Sequence, residues 1–496
     1  MNPVGELILV IDAGTTSTRA MVFDRAGDMR AVAQRQLQQH YPRPGWVEHD
    51  SGEIWTAALA CVRQVVTQVG GADRLGGIGI TNQRETVVAW DKQTGLPLTR
   101  AIVWQDRRTA DTCEALRVAG HEAAVQAATG LVIDPYFSAT KMRWLIDNVP
   151  EVRAAADSGR LALGTVESWL VWKLTGGAHI SDAANASRTS LLPLAGESWD
   201  AGLCDLFGVP QAALPQVCDN AGVLATTLPE WLGAPVPITG LAGDQQAATI
   251  GQACLAPGET KATYGTGAFV LANMGDTVPR SRHRLLATVL YQLGGMRTYA
   301  LEGSVFVAGS LLQWLRDSLG VIDSAPETET LARSVTDNGG VVIVPALSGL
   351  GAPHWQAEAR ASITGLSFAT GRAHIARAAL EAMAMQTRDL AEAFAGDGAV
   401  WTRLRIDGGM SGNGWVAQDL ADILDIPVER PRFVETTALG AGMLAAHGAG
   451  LFASLSEAAG AMRGACEHFD PAMGQALRKK RIALWHGALR ANMTVL

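Results

Sequence analysis

Three short segments of this 496-residue chain place small residues, hydroxyls or paired glycines directly after an apolar run: residues 12–18, 263–267 and 407–413. Small residues let backbone N–H groups approach an anion closely, and hydroxyls add further donors. A glycine pair at the end of a strand lets the chain pass close to a flat or anionic ligand. Each segment alone is more typical of a polar turn, but the three together predict a phosphate- and nucleotide-binding site.

Two aspartates stand where phosphoryl transfer would need carboxylates. Asp12 ends the first apolar run, so it is placed to lie near a phosphate-bound Mg²⁺, directly or through water. Asp244 offers a carboxylate that could orient and deprotonate an attacking hydroxyl. Because Asp244 precedes the helical segment 245–250, the local pattern favours an ordinary N-cap. The two roles of Asp244 do not exclude each other.

A third group of candidates suits a ligand with several hydroxyls. Arg84 and Glu85 lie between two short β-like runs, and Trp104 follows in a later polar loop. An Arg/Glu pair offers donors and acceptors, and an indole ring can cover the C–H face of a polyol. The alternative is a surface ion pair beside a core tryptophan. The chain has 14 Trp, so a single one decides little.

Composition excludes several other classes of protein. The formal net charge of −8 argues against a large basic surface for nucleic acid or anionic lipid. The 6 Cys show no spacing that could hold zinc, which favours buried thiols in a reducing cytoplasm. No signal-peptide pattern is present, and no apolar run approaches the ~20 residues of a membrane helix. We expect a cytoplasmic α/β protein without a nucleic-acid partner or a membrane span.

The elements that must carry these segments alternate between strands and helices. Residues 7–11 and 19–24 predict a hairpin around the first Gly/Thr segment. Residues 50–69 predict a helix, with Asp50 as N-cap and Glu53 three residues on. Two short strands are predicted at 76–81 and 86–90.

The second half of the chain opens much as the first does. A Pro- and Gly-rich stretch ends near residue 250, and a strand, a Gly/Thr turn and a strand follow. We therefore predict two domains, 1–250 and 251–496, with long helices at 304–319 and 374–394. No P-loop motif occurs. Two hairpin loops with a Gly-Gly loop are the arrangement of the actin/hexokinase type of ATP site.

With these features the chain resembles the FGGY carbohydrate kinases over essentially its whole length. Two family signatures are matched, one by residues 136–148 and the other by 361–366 with 374–381. Within the family, the chain resembles most closely the members that act on glycerol. This closer resemblance lies in segments 82–86, 103–108, 134–138, 185–189 and 242–246. The resemblance implies two RNase-H-like α/β domains of the actin/hexokinase type. The substrate would lie in the cleft between them, and closure of the domains would exclude water.

The resemblance also implies an activity: phosphorylation of glycerol by ATP and Mg²⁺ to sn-glycerol 3-phosphate, in glycerol catabolism. Erythritol, another small polyol or a ketose such as xylulose are the alternative substrates. The nucleotide loops alone do not exclude a different class, an actin- or chaperone-like ATPase, but Arg84 and Glu85 argue against it. Family members are dimers or tetramers, so the resemblance implies a homo-oligomer.

Site residues follow from the same resemblance. Asp244 is implied as the general base, and Asp12 and Asp244 as residues near the metal. The residues implied to bind the polyol are Arg84, Glu85, Trp104, Tyr136, Asp244, Gln245 and Phe269. Those implied to bind the nucleotide are Thr15, Thr16, Ser17, Arg19, Thr266, Gly309, Gln313, Gly409, Met410 and Asn413. Gly309 and Gln313 are four residues apart on a predicted helix, which places them on one face.

The chain departs from the family pattern at a few places. Ala13 stands where Gln is common in the first phosphate loop, and His354 stands in place of a usual Tyr. Residues 228–237 lack the Gly-rich loop with Arg by which some members bind fructose 1,6-bisphosphate, so we expect no control by that sugar phosphate. The basic segment 478–481 is predicted to be a solvated helix face.

Overall fold

A computed structural model describes residues 5–356, 358–433 and 435–494 of the chain. They form two large open β-sheets, one of 6 strands and one of 7, together with four two-stranded sheets, and helices pack against the large sheets. The two-domain α/β architecture expected from the alternating pattern is present. Among the described residues, every helix is too short or too polar to span a bilayer.

The first half of the chain contributes the following elements. Its strands are β1 (Leu7–Ala13), β2 (Ser17–Phe23), β3 (Met29–Gln36), β4 (Glu48–His49), β5 (Leu75–Asn82), β6 (Val88–Asp91), β7 (Ala101–Ile102), β8 (Leu161–Gly164), β9 (Ile180–Asp182), β10 (Gln216–Cys218), β11 (Ala221–Thr226) and β12 (Pro237–Gly243). Its helices are α1 (Ser51–Gln68), α2 (Ala110–Val118), α3 (Glu122–Thr129), α4 (Ser138–Asn148), α5 (Pro150–Asp157), α6 (Val166–Thr175), α7 (Ala183–Ala186), α8 (Ala201–Phe207), α9 (Pro229–Leu232) and α10 (Asp244–Gly251).

The second half of the chain contributes the remaining strands and helices. Its strands are β13 (Thr260–Tyr264), β14 (Ala268–Gly275), β15 (Leu286–Leu293), β16 (Met296–Val305), β17 (Val342–Val344), β18 (Ser362–Thr364), β19 (Leu404–Asp407), β20 (Val428–Pro431) and β21 (Cys466–Phe469). Its helices are α11 (Gly309–Asp317), α12 (Glu327–Arg333), α13 (Arg372–Gly396), α14 (Gly414–Leu424), α15 (Thr436–Gly448), α16 (Leu455–Met462) and α17 (Gln475–Thr494).

The two sheets share one plan. The first has the order β11-β12-β5-β1-β2-β3, and the second has the order β15-β16-β14-β13-β19-β20-β21. In the first sheet, β1 forms an antiparallel hairpin with β2 and pairs in parallel with β5. In the second, β13 forms an antiparallel hairpin with β14 and pairs in parallel with β19. The structural duplication predicted from the two Gly/Thr hairpins is confirmed.

Strand ends that carry the candidate segments meet at one edge of each sheet. In the first sheet, Ala13 pairs with Asn82 and Asn82 pairs with Gly243 across three parallel strands. In the second, Thr263 pairs with Asp407. Carboxyl ends of parallel strands lie together, and ligands bind outside them in open α/β sheets. The register therefore brings distant loops into one region.

Helices from the second half of the chain also pack on the first sheet. α15 crosses α10 so closely that a Cβ added at Gly440 would lie 1.8 Å from the Ala247 carbonyl oxygen. A Cβ added at Gly251 would lie 2.0 Å from the Thr436 carbonyl oxygen. The crossing is possible because small residues let the two backbones touch. α15 packs on β12, β5 and β1 of the first sheet, and α10 contacts both that sheet and β13 and β14 of the second.

The predicted helix 50–69 is confirmed as α1, capped by the Asp50 carboxylate, which accepts from the Gly52 and Glu53 N–H groups. The prediction of a helix over 304–319 was wrong at its start. Ser304 and Val305 still pair with β14, so the strand continues and α11 begins at Gly309.

The prediction of a fully solvated face for residues 478–481 was also wrong. Lys479 and Lys480 are exposed, but Arg478 and Arg481 lie on the inner side of α17. Arg481 Nη1 lies 2.5 Å from the Asp419 carboxylate on α14. The spacing of three residues places both arginines on the face that packs against that helix.

A buried pair of acids, Glu167 and Asp182, lies in the interior of the first half. Glu167 Oε1 accepts from the Thr165 and Ser181 hydroxyls, and Oε2 has no partner among the described residues. Burial, reinforced by the nearby Asp182, raises the pKa of Glu167 to about 7. A raised folded-state pKa stabilises the fold below the unfolded value of 4.5, and this stabilisation is lost as pH rises through about 7.

We therefore expect Glu167→Gln to remove this pH dependence. The variant should gain melting temperature relative to the natural protein as pH rises from 5 to 8, because the buried amide has no charge to desolvate. Thermal unfolding at several pH values measures the difference. Glu114→Gln, at the exposed Glu114, is the matched control and should leave the difference flat. A constant difference for Glu167→Gln across this range would contradict the assignment.

Candidate functional site

Arg84 lies at the centre of the region where the strand ends meet. It follows β5, its side chain is only 2% exposed, and it faces groups from both halves of the chain. Its Nη1 donates to Glu302 Oε2 at 2.6 Å, and its Nε lies 3.2 Å from Asp244 Oδ1. The Tyr136 hydroxyl lies 3.4 Å from Nη2. The surface ion pair considered for Arg84 is excluded, since the guanidinium is buried.

A second arginine, Arg188, completes a closed set of buried charges. Its Nε donates to Glu85 Oε1 at 2.7 Å, and its Nη2 donates to Glu302 Oε1 at 3.1 Å. Burial alone would raise the pKa of Glu302, but Arg188 and Arg84 outweigh it and lower the pKa to about 2. Glu302 is therefore ionised, and the formal charges of the two arginines and the two glutamates sum to zero. Buried charges of this kind are tolerable only when they are paired and hydrogen-bonded.

Glu85 adopts a left-handed backbone conformation, with φ of 61°. This conformation is uncommon for a residue with a side chain, and it often marks a functional constraint. The conformation is held in place by the Arg188 hydrogen bond and by the Ser138 hydroxyl, which donates to the Glu85 carbonyl. The turn therefore fixes two adjacent side chains, Arg84 and Glu85, toward one point.

Asp244 begins α10, directly after β12. The predicted N-cap role is wrong: Gly243 has the extended conformation of the cap, and Asp244 is the first helical residue. Its Oδ1 accepts from the Gln245 N–H at 2.7 Å. Burial raises the pKa of Asp244 to about 6, and the opposing charge of Arg84 limits the rise. A carboxylate with such a pKa and one-third of its side chain exposed is suited to accept a proton near neutral pH.

Aromatic rings line the same region. The Trp104 ring packs edge-on against Tyr136, with ring centroids 5.7 Å apart. Burial raises the pKa of Tyr136 far above its ordinary value, so its hydroxyl remains a donor. Phe269 lies in β14, half-buried, between Thr263 and Ser304 of the neighbouring strands. Trp104 is therefore not a core residue: it is half-buried, and its indole N–H donates to the hydroxyl of a loop residue.

That hydroxyl belongs to Thr15, in the first Gly/Thr loop: Trp104 Nε1 donates to Thr15 Oγ1 at 3.0 Å. The Gln83 side chain donates to the Gly14 carbonyl of the same loop. Asp12, at the end of β1, forms an ion pair with Arg19 at 2.6 Å, and Arg19 reaches Glu435 at 2.5 Å. The first loop is thus joined both to the aromatic wall and to the second half of the chain.

The predicted nucleotide residues of the second half also come together. The Gly309 N–H donates to the Gly265 carbonyl at 2.9 Å, so the start of α11 lies on the second Gly/Thr turn. A Cβ added at Gly309 would lie 2.6 Å from that oxygen and 3.2 Å from Met410 Cγ. A Cβ added at Gly408 would lie 2.5 Å from the Tyr264 carbonyl oxygen. Glycine is required at both places for the loops to meet.

The remaining predicted residues lie around this junction. Thr266 is exposed at the tip of the turn, and Gln313 is exposed one helical turn after Gly309. Gly409 is exposed in the short 3₁₀ turn Gly409–Gly412. Thr16 is exposed and Ser17 half-buried in the first loop. Asn413 caps α14, its side chain accepting from the Trp415 and Val416 N–H groups, so its carbonyl oxygen is already engaged.

Sequence reasoning missed three buried charges that complete the arrangement: Arg188, Lys261 and Glu302. Arg188 lies in a segment used only for the family resemblance. Lys261 lies in the strand before the Gly/Thr segment 263–267 but outside that segment, and Glu302 lies inside a strand with no motif around it. A charged residue in an apolar strand was the available signal, since such residues are rarely buried unless paired. Their partners, however, are distant in the chain and could not be read from spacing.

Comparisons with known proteins identify the family of the chain. Residues 7–251 match the family model "FGGY family of carbohydrate kinases, N-terminal domain", and residues 260–449 match that family's C-terminal domain. The chain is 54% identical to glycerol kinase of Rhodospirillum centenum over 486 residues, 97% of each chain. It is also 54% identical to glycerol kinase of Alcanivorax borkumensis, again over 97% of each chain.

Solved structures show the same fold. Glycerol kinase of Plasmodium falciparum with ADP superimposes with a TM-score of 0.93 at 36% identity, covering 98% of both chains. A xylulose kinase of Rhodospirillum rubrum superimposes with a TM-score of 0.87 at 26% identity, covering 98% of this chain and 99% of that one. The family models and full-length relatives together show that the chain belongs to the FGGY family of carbohydrate kinases.

Proposed function

We propose that this protein transfers the γ-phosphoryl group of ATP to a terminal hydroxyl of glycerol, giving sn-glycerol 3-phosphate. The observation that carries the proposal is the compact set formed by Arg84, Glu85 and Asp244 beside the Trp104 and Tyr136 rings. It offers donors and acceptors to several hydroxyls and an aromatic wall to the carbon chain. The full-length relatives named glycerol kinase support the same substrate.

Asp244 is the proposed general base. The carboxylate is held by the Gln245 N–H and faces the Arg84 guanidinium, so it cannot turn away from the polyol-binding region. It accepts the proton of the attacking hydroxyl as the new O–P bond forms, and the bond to the leaving ADP oxygen breaks. Arg84, fixed by Glu302, orients the substrate. Catalysis by these residues consists mainly of positioning and charge placement.

The Gly/Thr loops and the Gly-Gly loop are proposed to bind ATP. Gly309 and Met410 meet over the second turn, which forms a floor of backbone and apolar atoms for a nucleotide. The carboxylates of Asp12 and Asp244 are the proposed residues near a Mg²⁺ ion, because Mg²⁺ takes few protein oxygens and keeps several waters. Such an ion would neutralise charge on the phosphate oxygens. Asp12 would act through water, because Arg19 already holds one of its oxygens.

Substrate choice separates this proposal from other activities. We expect glycerol to give the highest kcat/KM, by roughly tenfold or more, since a pocket reaches that discrimination readily. The measurement is ADP release from Mg·ATP with glycerol, erythritol, xylulose, ribitol or no acceptor. A higher kcat/KM for erythritol or xylulose would keep the kinase activity but replace glycerol as the assigned substrate. Equal ADP release without any acceptor would contradict the kinase itself.

Asp244→Asn tests the base directly. We expect kcat to fall roughly a hundredfold or more, because a positioned general base contributes about that much. The asparagine keeps the size of the side chain but cannot accept the proton. Asp205→Asn, on an exposed turn of α8, is the control and should retain activity. Near-normal turnover of Asp244→Asn under saturating glycerol would remove Asp244 from this role.

Gly309→Ala tests the nucleotide side. The added methyl group would lie 2.6 Å from the Gly265 carbonyl oxygen, so the turn and the helix must separate. We expect the KM for ATP to rise about tenfold, the effect of modest overpacking, with little change in the KM for glycerol. Gly460→Ala, in α16, where an added Cβ meets nothing within 4 Å, is the control. Unchanged steady-state ATP kinetics for Gly309→Ala would contradict the assignment.

A further inference from the structure

Lys261 is a fully buried lysine to which the proposed reaction assigns no role. It lies in β13, the strand that leads into the second Gly/Thr turn. Burial lowers the pKa of Lys261, and the nearby Asp407 opposes that change. Lysine is rarely buried without a partner, so a fully enclosed lysine in a central strand calls for a specific contact.

The contact is with a residue proposed to bind the polyol. Lys261 Nζ donates to Gln245 Oε1 at 2.6 Å and to Thr263 Oγ1 at 2.7 Å. An ammonium group carries only donors, so the amide atom that faces it must be the oxygen. The other end of the Gln245 amide is therefore the NH₂ group. Lys261 therefore sets the orientation of the Gln245 amide, with the oxygen toward the lysine and the NH₂ group away from it.

Gln245 is held at its backbone as well. Its N–H donates to Asp244 Oδ1 at 2.7 Å, so the glutamine connects the proposed base to Lys261. Asp244 and Glu85 offer acceptors to a polyol, whereas Arg84 and the Gln245 NH₂ group offer donors. A hydroxyl is best satisfied by one donor and one acceptor. The amide orientation thus matters for which hydroxyl pattern fits.

The sheet presents Lys261 together with the partner of Arg84. Lys261 pairs with Leu271 of β14, and Leu271 pairs with Glu302 of β16, so the three lie in one row on one face. In that row the second half of the chain offers a cation to Gln245 and an anion to Arg84. The cation faces an amide oxygen and the anion faces a guanidinium, so each charge suits its partner. This face of the second sheet therefore orients the side chains of the first half that are proposed to bind the polyol.

We propose that Lys261 is a positioning residue for the polyol: it fixes the Gln245 amide so that its N–H groups face a substrate hydroxyl. The inference rests on the proposed function and adds a residue that acts through Gln245. If Lys261 only supported the fold, its removal would lower stability and affect both substrates alike. If it acts through Gln245, its removal affects the polyol alone and only while Gln245 is present.

A double-mutant cycle separates these roles. Lys261→Met, Gln245→Ala and the double variant are compared with the natural protein by the KM for glycerol, the KM for ATP, kcat and melting temperature. We expect Lys261→Met to raise the KM for glycerol roughly five- to tenfold, the fold-change of one hydrogen bond, with the KM for ATP within about twofold. In the Gln245→Ala background Lys261→Met should add nothing further to the KM for glycerol.

Arg405→Met is the matched control, because Arg405 pairs with Lys261 across the sheet and is also buried, but contacts Glu429 and Glu259. It should lower the melting temperature and leave the KM for glycerol unchanged. Independent, additive effects of Lys261→Met and Gln245→Ala would overturn the inference, as would an equal rise in both KM values. Failure of the natural protein to phosphorylate glycerol would instead contradict the proposed function, which this design distinguishes.

Discussion

The structure depends on a neutral set of four buried charges: Arg84, Arg188, Glu85 and Glu302. Each member would be very unfavourable in the interior alone. Hydrogen bonds from Arg84 and Arg188 to Glu302, and from Arg188 to Glu85, join the four, although Arg188 Nη1 has no partner among the described residues. Three members come from the first half of the chain and Glu302 comes from the second. The region proposed to bind the polyol therefore forms only where the two halves of the chain meet.

The remaining parts of the site follow from this constraint. Because the charge set fixes the turn after β5, the loops that follow β1 and β12 must close around it. Thr15 then reaches Trp104, and Asp244 reaches Arg84. The second sheet repeats the same strand order, so its own turn and Gly-Gly loop meet by the same geometry. The same strand arrangement, present in both sheets, therefore positions the loops of the first half and the loops of the second half of the candidate site.

The sequence predicted local features well and distant ones poorly. The hairpins, the helix capped by Asp50 and the strand before the Gly-Gly loop are set by neighbouring residues, and these were confirmed. The start of α11 was misplaced because Ser304 and Val305 pair with a strand some 35 residues earlier in the chain. The Asp244 cap failed for the same reason, since β12 extends through Gly243. Partners such as Glu302 and Lys261 required the fold itself.

The crossing of α10 and α15 constrains how these two helices can move against each other. Their backbones touch where Gly251 and Gly440 leave no side chain between them. Rotation about such a point keeps the contact, whereas sliding along either helix would bring larger side chains into it and separate the backbones. The crossing therefore tolerates rotation of the two helices better than sliding of one along the other. Neither glycine lies among the residues assigned to bind a substrate, so the requirement for glycine there comes from the contact of the two helix backbones.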